Sequence, residues 1–170
     1  MILTKNEINK ALKEGLIKIT PSKNISVGPG SIDLSLGNEL RIFRDDIEEI
    51  TINEKTNYED YTTSLKLTKK GYLLHPGELI LGITKEKLTL PENICGWIHS
   101  RSRFARLGLM SHITAPFISP GVSNRTVLEI YNAGQIPLRL IPDEKICQVI
   151  FEKCEGKAKY SGRFKDQKLR

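Results

Sequence analysis

Turn signals divide this chain so finely that little besides short strands fits between them. Gly28-Pro29-Gly30, Pro76-Gly77, Pro120-Gly121 and Asn132-Ala133-Gly134 punctuate it, and such residues supply the positive or fixed φ that chain reversals need. The apolar runs between them are of strand length: Ile32 to Leu36, Leu40 to Phe43, Leu79 to Thr84, Leu109 to Ile113, Val127 to Tyr131 and Lys145 to Phe151. Only the amino-terminal stretch departs from this pattern. There Thr4 and Glu7 have capping-box spacing, Ile8 and Leu12 share a helical face, and Gly15 stops the helix. The reading is an all-β chain with one short helix in front, and the pattern by itself stops at a barrel or a sandwich. The polar stretch from Asp45 through Ser64 reads as a hairpin or excursion. No repeat or linker divides residues 1–170, so a single domain with one core is expected.

Composition narrows the partners. Hydrophobic residues make up 39% and charged residues 27% of the chain, ordinary values for a soluble protein, and no membrane span is expected. The start, Met1 to Glu7, lacks the apolar core of a leader. Cys95, Cys147 and Cys154 are therefore read as reduced thiols of a cytoplasmic protein. A net charge of +6 and a pI near 9.2 call for an acidic partner. The basic residues gather in the Arg101 to Arg106 turn and in the tail, from Lys153 to Arg170, not along a module with stacked aromatics. That favours a nucleotide over nucleic acid, with the remaining tail lysines read as a solvated face.

Two features point to chemistry. Glu129 is a lone acid inside Val127-Leu128-Glu129-Ile130-Tyr131, and at period two it shares a face with Val127 and Tyr131. A carboxylate there loses hydration, which suits either a proton shuttle or a structural acid paired with an Arg or Lys. Upstream, Ser100-Arg101-Ser102-Arg103-Phe104-Ala105-Arg106-Leu107-Gly108 reads as strand, short helix, strand, with Ser100 or Ser102 as cap and Gly108 as the left-handed exit. Three guanidiniums beside free backbone N–H groups make an anion site, phosphate first, or else a solvated basic turn. Phe104 and Ala105 make that turn amphipathic.

With their neighbours these residues resemble the dCTP deaminase branch of the trimeric dUTPase superfamily. The resemblance runs through Gly30 to Gly37, Tyr72 to Glu78, Gly96 to Leu109, His112 to Ala115, Pro120-Gly121, Val127 to Asn132, and Tyr160-x-Gly162-Arg163-Phe164-x-x-Gln167. It implies a distorted β-barrel or jelly roll, with a second short helix at the Arg101–Arg106 turn. It also implies a homotrimer with active sites between subunits, and a flexible tail, residues 160–170, closing over the site. The implied reaction is deamination of dCTP to dUTP and ammonia, feeding dUMP and dTTP synthesis, with dTTP a candidate inhibitor. Glu129, Ser102 and Arg106 would be the catalytic residues, with backbone near Ala115 helping to place water and the cytosine amino group. Arg101, Arg103, Phe104 and Ala105 of the turn, Ser119, Val127 and Leu128, and Tyr160, Arg163 and Gln167 of the tail complete the substrate-binding set.

The residues also limit the chemistry. Zinc-dependent deaminases need a His or Cys ligand with a Glu two residues on, plus Pro-Cys-x-x-Cys, and neither occurs here. His75, His99 and His112 lack an i, i+4 partner and read as structural or rim residues. No zinc is expected, and Mg2+ would arrive on the triphosphate. The chain departs from the family's pattern at Ser119, where an Asp is usual, at Arg103 in place of a serine, and at Arg163 in place of a lysine. The absent acid disfavours phosphate hydrolysis more than deamination. A bifunctional enzyme releasing dUMP and pyrophosphate, and a non-catalytic nucleotide-binding relative, stay open at this point.

Overall fold

The amino terminus forms the expected helix but is fastened differently. In the computed structural model, which describes residues 1–169, helix α1 spans Lys5–Lys13 and buries Ile8 and Ala11. Thr4 is the N-cap residue, yet its side chain makes no capping bond. The Lys5 N–H is taken instead by the Pro29 carbonyl at 2.8 Å, so the first turn is satisfied by tertiary structure and not by the capping box. Gly15 ends the helix with φ +71°.

Eleven strands follow: β1 (Lys18–Thr20), β2 (Ser31–Phe43), β3 (Thr62–Lys66), β4 (Tyr72–Leu74), β5 (Leu79–Thr89), β6 (Ile94–Ser100), β7 (Leu109–Met110), β8 (Phe117–Ile118), β9 (Ser123–Asn132), β10 (Leu138–Leu140) and β11 (Lys145–Lys153). Nine of them form a curled half-barrel in the order β7-β9-β5-β2-β11-β6-β8, with β1 added to β5 and β3 to β2, while β4 and β10 pair separately. Every pairing is antiparallel. This is the all-β, distorted-barrel class expected, with α1 and a second short helix, α2 (Ser102–Ala105). The excursion from Asp45 onward runs into a 3-10 turn, Tyr58–Tyr61, and its last residues belong to β3.

The two apolar runs before residue 44 are one strand. β2 pairs first with β11 and then with β3 and β5, and two extra residues between Leu36 and Leu40 absorb the change. Gly37 sits in that bulge because a Cβ there would lie 2.8 Å from the Ile83 carbonyl, a separation only glycine tolerates. Period two sends Ile32, Leu34 and Leu36 of β2, Ile80 of β5, Leu128 and Ile130 of β9, and Val149 and Phe151 of β11 into one core. Each such side chain contributes about 1.5–3 kcal/mol by leaving water. The opposite parity of β5 and β9 places Leu81, Ile83, Val127 and Glu129 on the outer face, with Leu81 across from Glu129 and Ile83 across from Val127. The expected run from Leu109 to Ile113 shortens to two residues. Beyond Met110 the backbone turns away, for a reason found at Glu129.

Candidate active site

Glu129 stands on the outer face of the sheet, half-buried, with Val127 on its own strand and Leu81 across from it. Its Oε2 accepts hydrogen bonds from the backbone N–H groups of Ile113 and Thr114, at 3.0 and 3.1 Å. Two amide donors on one carboxylate oxygen fix the side chain and leave its other oxygen free to act. Those same bonds draw residues 113 and 114 out of strand geometry. No Arg or Lys pairs with Glu129 among the described residues, so the structural-acid alternative lacks its partner.

His112 precedes that donor pair. Its ring meets His99 edge-on at 5.8 Å, and its Nδ1 is buried without a hydrogen-bond partner among the described residues. Burial, then the nearby His99, lower its pKa against the opposing pull of Glu129, which favours the neutral imidazole. Of the two readings of this histidine, structural or rim, the buried Nδ1 and the ring contact with His99 favour the structural one.

Glu129 lines a cleft of about 410 Å³, a volume within the range of small-molecule sites. Of the sequence-derived set, Ala115, Ser119, Val127, Glu129, Tyr160 and Gln167 meet there. Sequence reasoning missed Tyr58, Phe117, Val122, Asn124 and Thr126, which also line it. A sequence signal existed only for Phe117, an isolated aromatic after Pro116. One wall is an open strand edge: among the described residues, on the side away from β5, β9 has a strand partner only at Tyr131 and Asn132.

The tail lies across this cleft. Tyr160 N–H bonds the Pro120 carbonyl at 3.0 Å, Asn124 Nδ2 donates to the Phe164 carbonyl at 2.9 Å, and the Val127 N–H donates to Gln167 Oε1 at 3.2 Å. Farther along, Tyr58 Oη donates to the Lys168 carbonyl at 3.3 Å, and Leu169 is only 1% exposed. A segment rich in charged residues thus includes a buried apolar side chain. Arg163 is exposed, its guanidinium 5.9 Å from the Phe164 ring. Arg170, the last residue of the expected tail, lies outside the described residues.

The basic turn stands elsewhere on the chain. None of Arg101, Ser102, Arg103, Phe104, Ala105 and Arg106 lines the Glu129 cleft. Neither Ser100 nor Ser102 caps α2: Arg101 is its N-cap without a side-chain bond, and Ser100 Oγ is engaged by Ser111, whose N–H donates to it at 2.9 Å. Arg101 is held inward by Asp33 at 3.0 Å and by the Lys145 carbonyl at 2.8 Å. Phe104 packs on the core, while Ser102, Arg103, Ala105 and Arg106 are exposed. Neither Arg103 nor Arg106 meets a carboxylate among the described residues. Gly108 leaves the turn at φ +89°, where a Cβ would strike the Gly134 backbone at 2.5 Å. Leu128 points into the core at 1% exposure and does not line the cleft.

A family model described as dCTP deaminase-like matches residues 2–154. The chain belongs to this dCTP deaminase-like family. It is similar to the dCTP deaminase of Marinomonas sp. (strain MWYL1), 40% identical over 98% of this chain and 94% of that protein. Against the dCTP deaminase of Aeromonas salmonicida (strain A449) the identity is 42%, over 93% and 86%. Among solved structures, 2'-deoxycytidine 5'-triphosphate deaminase from Agrobacterium tumefaciens superposes with a TM-score of 0.69 at 19% identity. That match covers 91% of this chain and 48% of the other, so this chain spans about half its length. A native EIAV dUTPase gives 0.54 at 15% identity, covering 86% and 95%. At such identities these two show the fold alone. Among the described residues no three His, Cys, Asp or Glu side chains gather so as to hold a metal ion, and no helix is long and apolar enough to cross a membrane.

Proposed function

We propose that this chain deaminates dCTP to dUTP and ammonia in the cytoplasm, as a homotrimer, without protein-bound zinc. The observation that carries the reading is the Glu129 carboxylate, held by two amide donors inside a nucleotide-sized cleft, in a chain 40% identical to a dCTP deaminase over nearly its whole length. Glu129 removes a proton from water as hydroxide adds to C4 of cytosine, then returns it toward N3 and the departing ammonia. Water and dCTP are consumed, and dUTP and ammonia are released. The free edge of β9 and the tail residues Tyr160 and Gln167 enclose the nucleotide and exclude bulk water.

Ser102 and Arg106 reach a cleft from a neighbouring copy in this reading. Their exposure, and their absence from the lining of their own chain's cleft, support an assignment across subunits. Arg106 would orient the carboxylate and Ser102 the water, with Arg103 free for the phosphates. Mg2+ enters with the triphosphate, and dTTP competes for the same cleft. The cleft holds Ser119, and a hydroxyl cannot replace a carboxylate in activating water toward phosphorus; we therefore place hydrolysis to dUMP second. Incubation with dCTP, assaying ammonia and pyrophosphate together, tests the assignment. Ammonia alone is expected. Pyrophosphate in equal amount would establish the bifunctional enzyme, and absence of both would leave a non-catalytic nucleotide binder.

A further inference from the structure

Ile83 faces outward from β5, yet it is fully buried, and Leu81 beside it is 7% exposed. Outward-facing aliphatic residues on a sheet need a cover. Their cover is the end of the chain. Leu169 forms a cluster with Leu81 and Ile83, backed by Phe43, Tyr58 and Val127. Between Lys153, where the last strand ends, and Leu169, the tail residues Tyr160, Phe164 and Gln167 line the cleft.

We infer that Leu169 is a positioning residue: a peg seated in an apolar socket of Phe43, Tyr58, Leu81, Ile83 and Val127, which holds the tail over the cleft and thereby sets nucleotide affinity. The inference rests on the reading of the cleft as the nucleotide site. Leu169 itself touches no reacting atom. Gln167, two residues before the peg, bonds the Val127 N–H, and Lys168 between them accepts from Tyr58 Oη. Seating the peg therefore aligns the segment that carries Gln167 along the β9 edge.

The socket is built before the peg arrives. Tyr58 belongs to the 3-10 turn, and that turn is tied down by Arg41, itself only 7% exposed. Arg41 donates from Nε to Thr62 Oγ1 at 2.7 Å and through a terminal nitrogen to the Glu59 carbonyl at 3.1 Å, with its guanidinium 5.8 Å from the Tyr58 ring centre. A rigid wall lowers the entropic cost of docking a tail. A nucleotide meeting an already closed tail loses none of its affinity to closing it.

The test compares the full chain with Leu169→Asp and with Leu169→Met, a swap that nearly conserves volume. Two quantities are read: trypsin cleavage after Arg163 and Lys165 without nucleotide, and the kcat and KM of dCTP deamination. For Leu169→Asp, tail cleavage should quicken and KM rise by about tenfold or more, the scale set by expelling one fully buried leucine. The kcat should stay within about threefold, because bound nucleotide still draws the tail closed, and the global melting temperature should hardly move. Leu169→Met should restore both quantities. Equal cleavage of wild type and Leu169→Asp would overturn the peg. Faster cleavage with unchanged KM would overturn its effect on the nucleotide. A wild-type chain inactive on dCTP would instead defeat the assignment of function, and cleavage together with dCTP-binding affinity would still decide the peg.

Discussion

Replacing Glu129 by glutamine separates the carboxylate's chemistry from its structural duty. A glutamine carbonyl can accept both N–H bonds that now end on Oε2, from Ile113 and Thr114. The loss is then only the difference between charged and neutral hydrogen bonds, about 1 kcal/mol for each at most and less in a half-exposed cleft. For a chain of this size about 1 to 2 kcal/mol lowers the melting temperature by roughly 2–8 °C. The rate should suffer far more. With its carbonyl held by the loop, the side chain turns an NH2 donor toward the water that needs an acceptor. Removing a general base costs about a hundredfold to ten-thousandfold, or about 3–5 kcal/mol of barrier.

Glu129→Ala supplies the contrast. It should reach the same low rate while also releasing the Ile113 and Thr114 amides, so hydrogen exchange at those two positions should quicken in the alanine variant and stay slow in the glutamine variant. Ammonia release gives the rate, and thermal unfolding confirms that both variants fold. A glutamine variant within about threefold of wild type would refute Glu129 as the base, because no positioned proton acceptor is worth so little.

If sites are shared between copies, a co-refolded equal mixture of Glu129→Gln and Arg106→Ala should recover about a quarter of wild-type activity, the fraction of sites that draw both intact residues from different chains; a mixture as inactive as its parents would confine the site to one protomer. Burial and the adjacent Cys154 thiol push Cys95 up to about 11, and burial raises Cys147 as well. Thiolate is therefore scarce at both, and iodoacetamide at about pH 8 should label Cys154 alone in the folded chain; mass spectrometry showing equal labelling of all three would contradict this. His112 has its pKa lowered from 6.5, so the folded state takes up this proton later than the unfolded chain as pH falls, and stability drops below the unfolded value. His112→Gln should accordingly lose less stability than wild type between about pH 6.5 and 5, and parallel unfolding curves would exclude His112 as the group responsible. Prolonged exposure to a zinc chelator, followed by restored magnesium, should leave deamination intact, whereas activity lost in proportion to zinc removed would assign another class of deaminase.

Period-two alternation made most of the barrel legible, because a half-buried strand must alternate whatever it packs against. It placed Leu128 and Ile130 on one face and Glu129 with Val127 on the other. What failed was decided by long-range partners. Thr4 has the spacing of a cap, but the Pro29 carbonyl takes the role through the first helical N–H. The strand after Gly108 ends early because Glu129 claims the amides of residues 113 and 114. Tyr58 and Leu169 were invisible as site residues: each is unremarkable locally, and they meet only because the far end of the chain folds back onto the 3-10 turn. Arg101 drew attention for its charge, whereas its pairing with Asp33 depends on β2 lying next to β11 and on β11 reaching the turn.

The open edge of β9 has a consequence outside catalysis. A backbone N–H such as that of Val127 is the same donor to a nucleotide, to the Gln167 side chain or to a strand from another molecule. Sealing the edge with a permanent strand would protect the chain from aggregation and close the cleft together. A removable cover avoids that choice: the tail supplies side-chain and carbonyl acceptors rather than a ladder, and carries Lys165 and Lys168, charges that repel an incoming copy. If the tail closes over a bound nucleotide as proposed, the segment that admits the substrate would also guard the edge against a second copy, and selection on either property would act on the same few residues.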